Sequence, residues 1–442
     1  MESEGGYRGT LFKFLRQAKA SVGDVVRVRC DQAIYEGVLM PRSELGDEAH
    51  LVIKLRSGYN IGVRARDNME VTVVGRGSAP AYTSSRPQGR DRNLPKVTII
   101  STGGTIASRV DYRTGAVTPG LTAEDLYSSV PELSQVAQVG SKPLYTMLSE
   151  NFEPRNWAAI AVEVANQFME GSSGIVVTQG TDTLGYTAAA LSFALQNLPA
   201  PVILVGAQRS SDRPSSDTAV NLLGAVDVAA RGTFAEVAVV MHEGFSDEDL
   251  AIHRGTRVRK CHTSSRDAFQ SINSPPLGSY NVPKRRITVD VEVRERDSRR
   301  ILQAKPNFEE NVALVKFHPG LDSKVIEFLL DYGVKGIVLE GTGLGHIGQK
   351  WFDHIEKARK ERIPVGMTSQ CIWGRIDMNV YDGGRYLLKR GVIPLEDMIP
   401  ETALVKMMWC LGQTQTYDEV RKMMVTNVAG ELSSRSLPRI MK

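Results

Sequence analysis

Cysteine is scarce: four residues in 442, at Cys30, Cys261, Cys371 and Cys410, with no CxxC pair among them. That scatter excludes a disulfide framework and a structural zinc site, and it favours a reducing, cytoplasmic setting. Histidine is also sparse. None of its seven copies falls in an HExxH or comparable spacing, so no metal is expected in this chain. No apolar run approaches the ~18 residues of a membrane helix. The opening segment, MESEGGYRGTLFKFLRQAKA, lacks the apolar stretch of a secretory leader. Charge of one sign is lacking as well. The formal balance is +4, too small for the dense basic footprint of a chain that grips nucleic acid by itself.

Nucleotide motifs are missing too. Gly343-Leu344-Gly345-His346-Ile347-Gly348 fits GxGxxG after a strand-like run. The next strand, Pro364–Thr368, leads to Ser369-Gln370 instead of the acidic residue a dinucleotide site needs. Gln349 stands where a phosphate-binding loop has its lysine, so no ATP site is expected here. A cysteine-dependent glutaminase is disfavoured: the chain opens Met1-Glu2, and no cysteine sits in a strand-to-helix elbow.

What remains is an ordinary globular composition, 42% apolar and 24% charged. The length suits two to three domains at roughly 100–200 residues each. Residues 1–79 carry short alternating runs, Val25–Arg29, Leu51–Leu55 and Val71–Val74, punctuated by Gly, Asp and Asn. They predict a small β-barrel of SH3-like size. Its basic residues (Arg27, Arg29, Arg42, Lys54, Arg56, Arg64, Arg66) suit a solvated face, a protein partner or RNA. Residues 80–95 read as a linker rich in Gly, Ser, Pro and Arg. From Lys96 the texture changes. Continuous apolar runs (97–100, 174–177, 201–205, 237–240) alternate with helical patterns (157–170, 183–196, 218–230). That rhythm means an α/β unit with a parallel sheet covered on both faces. It spans residues 96–280, breaks over the charge-rich connector 281–306, and resumes in a second lobe, 307–442.

Ligands of such sheets bind beyond the carboxyl ends of the strands. Two hydroxyl-rich loops stand there: Thr102-Gly103-Gly104-Thr105-Ile106-Ala107 and Thr178-Gln179-Gly180-Thr181-Asp182-Thr183. Glycine admits close backbone approach, so the pair can set two threonines and a carboxylate around one small substrate. These segments resemble the two signature motifs of the bacterial-type L-asparaginase/glutaminase family. The likeness extends to Leu148–Phe152, Arg257–Lys260, Phe269–Ser271, Pro276–Gly278, Gln370–Gly374 and Glu401–Lys406, covering about residues 96–425.

The resemblance implies an asparaginase-like two-lobed fold and hydrolysis of a side-chain amide. It maps catalytic roles onto Thr105, Thr181, Asp182 and Lys260, with Tyr112 partnering Thr105, and substrate binding onto Ser149 and Glu150. A threonine hydroxyl is a poor nucleophile unless a base or a neutral lysine takes its proton. The family pattern implies Thr105 as primary nucleophile; the residues alone leave open which threonine attacks first. Glu150 stands where the family commonly has Gln or Asp.

About ninety-five extra N-terminal residues and the long connector depart from stand-alone asparaginases. An added β-barrel before an asparaginase unit resembles the D-subunit family of archaeal-type glutamyl-tRNA(Gln) amidotransferases. That likeness implies an E-type partner subunit holding tRNA, ATP and Mg, fed with ammonia by this chain, with a homodimer inside a heterotetramer. The alternatives are a free cytosolic L-asparaginase and a non-catalytic scaffold or RNA-binding protein.

Overall fold

The computed structural model describes residues 7–31, 33–40, 48–55, 60–76, 93–103, 109–110, 117–118, 126–127, 130–209 and 216–435. The N-terminal unit comprises helix α1 (Gly9–Gln17) and strands β1 (Val25–Cys30), β2 (Ala33–Leu39), β3 (His50–Leu55), β4 (Asn60–Arg64) and β5 (Glu70–Gly75). All pairings are antiparallel, in the order β4-β3-β2-β1-β5. Alternation sends Val26, Val28 and Cys30 inward and Arg27 and Arg29 outward. Leu11 and Leu15, four residues apart on α1, complete a core with Val26, Val28, Leu39, Leu51 and Ile53.

That helix is not visible in the polar opening segment. Among the described residues no ladder joins β4 to β5; the predicted small barrel corresponds to this five-stranded antiparallel sheet with α1 packed on its core. Two of its outward arginines are compensated: Arg27 pairs with Glu36 at 2.8 Å, and Arg66 pairs with Asp31.

The next unit holds β6 (Lys96–Ser101), β7 (Gln138–Pro143), β8 (Gly174–Thr178), β9 (Val202–Val205), β10 (Val237–His242) and β11 (Asp249–Arg254). A short hairpin, β12 (Val258–Lys260) and β13 (Phe269–Ser271), precedes β14 (Gly278–Asn281) and β15 (Arg286–Val289). The eight-stranded sheet runs β15-β14-β11-β10-β9-β8-β6-β7. Neighbours from β7 to β10 are parallel, and those from β10 to β15 are antiparallel. Every residue of β8, β9 and β10 is buried, because α2 (Pro154–Met169), α3 (Leu184–Ala194) and α4 (Thr218–Arg231) cover the sheet. The charge-rich stretch 281–306 contributes the edge strand β15, and Gln303–Ala304 pairs with Leu195–Gln196.

The last unit has a parallel sheet, β16 (Val312–Lys316), β17 (Gly336–Gly341), β18 (Val365–Ser369) and β19 (Ile393–Pro394), in that order. Its helices are α5 (Lys324–Tyr332), α6 (Phe352–Lys360), α7 (Asp382–Lys389), α8 (Pro400–Gln413) and α9 (Tyr417–Val425). Helix α3, LGYTAAALSFA, is buried from Thr187 to Ala194 because it is wedged between the two lobes. Its alanines admit α8 closely, and Phe193 stacks on Trp409 with centroids 5.7 Å apart. No helix among the described residues is long and apolar enough to cross a membrane.

Candidate active site

Strands β6 and β8 lie side by side with Ser101 opposite Thr178, so both hydroxyl-rich loops leave the sheet at one edge. Thr102 is fully buried, and its hydroxyl and N–H both donate to the Thr178 carbonyl, at 2.8 and 3.1 Å. It ties the two loops together and is not free to react. Thr105 and Tyr112 lie outside the described residues.

The second loop carries the described chemistry. Lys260 Nζ donates to Thr181 Oγ1 at 2.9 Å and pairs with Asp182 Oδ1 at 2.7 Å. The lysine side chain is 15% exposed and the Asp182 side chain 69%. One ammonium therefore bridges a nearly buried hydroxyl and a carboxylate open to solvent. If the ammonium loses its proton, the amine is already in hydrogen-bond reach of the hydroxyl it would deprotonate.

Ser149 also reaches this loop. A Cβ on Gly180 would stand 2.9 Å from Ser149 Oγ, an approach only glycine permits. Thr183 Oγ1 donates to the Ser149 carbonyl at 2.6 Å, and Gln179 Nε2 donates to Thr183 Oγ1 at 3.2 Å. The segment before Ser149 is strapped across the tip of β6, where the N–H groups of Leu144 and Tyr145 both donate to the Ser101 carbonyl. Glu150 sits beside Ser149 on a short turn and is exposed. The structure thus brings Ser149, Thr181, Asp182 and Lys260 together and leaves Glu150 facing solvent.

Lys260 ends β12, and the base of that strand is anchored in the second lobe. The Arg257 guanidinium is buried against Asp397, with Nη1 3.0 Å from Oδ2. It also donates to the Gly430 carbonyl and to Ser433 Oγ, both at 2.8 Å. Burial pulls the Arg257 pKa down, and the Asp397 charge opposes that. Thr256 Oγ1 donates to the Ala429 carbonyl at 3.0 Å, and Thr402 Oγ1 donates to the Thr256 carbonyl at 2.9 Å.

The tail that receives these bonds is held by a fully buried ion pair, Lys406–Glu431, at 2.6 Å. Lys406 also donates to the carbonyls of Met424 and Thr426, while Glu431 accepts the N–H groups of Val428 and Ala429. Strand-end reading could not find this clamp, because Arg257 and Asp397 are 140 residues apart in the chain. One signal was available: Lys406 interrupts the apolar helix sequence TALVKMMWC.

Two surface concavities, of about 440 and 450 Å³, lie elsewhere: one lined by Arg231, Lys284, Arg285 and Arg286, the other by Cys30, Asp31, Tyr35 and Arg64. Neither contains any of the candidate residues, and the described clefts give no independent pointer to the chemistry. No cluster of three metal-ligating side chains occurs among the described residues.

Family models match in order along the chain: the GatD N-terminal domain over residues 20–74, the N-terminal asparaginase domain over 96–294, and the glutaminase/asparaginase C-terminal domain over 311–424. The chain is 49% identical over 434 residues to the D subunit of glutamyl-tRNA(Gln) amidotransferase from Methanopyrus kandleri, covering 96% of this chain and 94% of that one. It is 50% identical over 427 residues to the corresponding protein of Pyrococcus abyssi, with 95% and 97% covered. The thermostable L-asparaginase of Thermococcus kodakarensis superposes with a TM-score of 0.68 at 33% identity, covering 77% of this chain and all of that structure (100%). L-asparaginase I of Vibrio cholerae gives 0.67 at 30% identity, with 77% and 99% covered. The part these asparaginases leave uncovered corresponds in size to the N-terminal unit and linker. By near-full-length identity and by the order of its matched domains, this chain belongs to the D-subunit family of glutamyl-tRNA(Gln) amidotransferases, built on the asparaginase fold.

Proposed function

We propose that the chain hydrolyses the side-chain amide of glutamine or asparagine and passes the ammonia to a partner subunit, which converts Glu-tRNA(Gln) to Gln-tRNA(Gln). The observation that carries the hydrolytic half is the Lys260 ammonium set between Thr181 Oγ1 and Asp182 Oδ1. Thr105, with Tyr112 as proton partner, attacks the amide carbon, and the nitrogen leaves as ammonia once protonated. The resulting ester is opened by water. Thr181 orients that water and relays its proton to the amine form of Lys260; Asp182 balances the ammonium so formed and faces the substrate's α-ammonium. Ser149, fastened to the same loop, receives the α-carboxylate, with Glu150 at the rim. The net reaction is amide plus water to carboxylate, ammonia and one proton.

The transfer half rests on family membership. Activating the glutamyl carboxylate requires ATP with Mg, and the partner supplies both along with most of the tRNA contact. Two copies of this chain joined through their asparaginase-like lobes form the centre of a heterotetramer in the cytoplasm. The four free thiols of the chain fit that compartment. A free L-asparaginase is the second reading, supported by the asparaginase structures that superpose on 77% of the chain. Ammonia release from glutamine and from asparagine by the purified chain tests both. Slow release that rises when the partner and charged tRNA are added fits the amidotransferase reading. Rapid asparagine turnover indifferent to both overturns it.

A further inference from the structure

Three polar side chains on α4 and β10 are wholly buried behind the threonine loop: Asp217, at the start of α4, and Asn221 and His242. The mechanism above does not use them. A polar group in a core is costly unless all its hydrogen bonds are made, and when they are made it fixes geometry sharply. Here they are made. The Asp217 carboxylate accepts the N–H groups of Gln208 and Arg209, at 3.0 and 2.9 Å. Asn221 Nδ2 donates to the Gly206 carbonyl at 3.1 Å and to Asp217 Oδ2 at 3.0 Å. Residues 206–209 are thereby pinned by two side chains from the first turn of one helix.

That pinned segment is the wall behind Thr181. A Cβ on Gly206 would come within 2.6 Å of Thr181 Cγ2 and 3.0 Å of the Gln179 carbonyl. The peptide packs directly on the threonine, and a shift of the wall shifts the hydroxyl.

The chain of contacts continues away from the site. With both protons of its amide committed, Asn221 presents Oδ1 to His242 Nδ1 at 2.7 Å. His242 Nε2 faces Asp247 Oδ1 at 3.0 Å. Asp247 also accepts from Arg266 Nη1 at 2.5 Å, and Arg266 donates to the Phe245 carbonyl as well. Burial raises the Asp247 carboxyl, but the bonds from His242 and Arg266 prevail and hold it below the usual carboxylate range. Arg266 belongs to the turn between β12 and β13, and β12 ends in Lys260. The two arms that hold Thr181 and Lys260 2.9 Å apart therefore meet again behind the site, through Asn221, His242 and Asp247.

We propose that Asp217, Asn221 and His242 are positioning residues, forming with Asp247 and Arg266 a strut that sets the distance between Thr181 and Lys260. The strut touches no substrate. It acts on the chemical step, because a displacement of about 1 Å far from the reacting atoms is enough to lower a rate by up to about a hundredfold. Its catalytic consequence rests on the amide-hydrolysis reading; its mechanical consequence does not.

The test combines glutaminase kinetics with hydrogen exchange of the peptide covering residues 202–209, on the full chain. Asn221→Ala is expected to speed exchange in that peptide and to lower kcat by about tenfold or more, leaving KM within about threefold. Asp247→Ala, at the solvent end, is expected to move both readouts the same way by less. Asp247→Asn keeps an acceptor for His242 and Arg266 and is expected to restore kcat to within about twofold of the parent. A purely structural role predicts a kcat that falls only with the folded fraction. Loosened exchange with unchanged kcat, or no rescue by Asp247→Asn, overturns the proposal. If Asn221→Ala does not fold, the Asp247 pair decides, since that residue is at the surface. If the parent chain releases no ammonia under any condition, the hydrolysis reading fails, and exchange in the variants still decides whether the strut pins the loop.

Discussion

Lys260 is the side chain on which the described site turns, because it touches both Thr181 and Asp182. Lys260→Met removes the proton carrier and leaves the Thr181 hydroxyl without its amine partner. Thr181→Val removes the hydroxyl at nearly constant shape. Each is expected to lower kcat for ammonia release by about 10³-fold or more, and the double variant to lose little further, because the two act as a unit. Single-turnover assays with glutamine check this, and near-normal turnover in either variant removes that residue from the mechanism. Thr181 and Asp182 were legible in the sequence because hydroxyl, carboxylate and glycine cluster directly after an apolar strand, and Lys260 through the family likeness of its segment. Arg257 was not legible as an anchor, since its partners come from residues 397–433.

His253 gives a pH prediction of its own. It is buried, its Nδ1 sits 2.9 Å from Ser271 Oγ, and burial pushes its pKa down to about 4. The folded chain keeps the ring neutral, while the unfolded chain protonates it near the ordinary value of about 6.5. Unfolding therefore takes up a proton between those two values, and stability falls as pH drops from about 6.5 toward 4, by at most about 1.4 kcal/mol per pH unit. Above that window His253 contributes no pH dependence. Denaturant melts of the parent and of His253→Gln check it: the difference between them should grow on acidification through this window and be flat above it. A parallel pH response refutes the assignment.

Among the elements, the buried parallel strands were the easiest to read. β8, β9 and β10 are covered on both faces, so their apolar runs are unbroken. β2 and β4 were missed: Glu36-Gly37 interrupts one, and the other is five residues long with Gly62 at its centre. α1 was missed because it is only 9 residues long and only Leu11 and Leu15 of it are fully buried. The clamp between α8 and the C-terminal tail carries an element-scale prediction. Lys406→Met leaves Glu431 charged and unpaired in a site with no solvent access, at a cost of about 3–5 kcal/mol. The double variant Lys406→Met, Glu431→Gln should recover part of that, since no buried charge remains. Chemical denaturation of the two variants checks the ordering, and a Lys406→Met protein as stable as the parent contradicts it. Because Arg257 and Thr256 grip the same tail, activity should decline along with stability.

At the scale of the whole molecule, the two-lobed asparaginase unit accounts for an amide-hydrolysing site and the N-terminal unit remains to be used. Its sheet-and-helix core is self-contained, and the pairing of Arg27 and Arg66 with acidic neighbours leaves less free charge for phosphate than the sequence suggested. The division of labour proposed above has this chain making ammonia and a partner activating and holding the glutamyl-tRNA. The direct measurement is nitrogen transfer. Glutamine labelled with ¹⁵N in its side-chain amide is incubated with ATP, Mg, Glu-tRNA(Gln), this chain and the partner protein, and the product aminoacyl-tRNA is analysed by mass. The account predicts labelled Gln-tRNA only when both proteins are present and Thr181 and Lys260 are intact. Labelled Gln-tRNA from the partner alone, or from the complex carrying Lys260→Met, would contradict it.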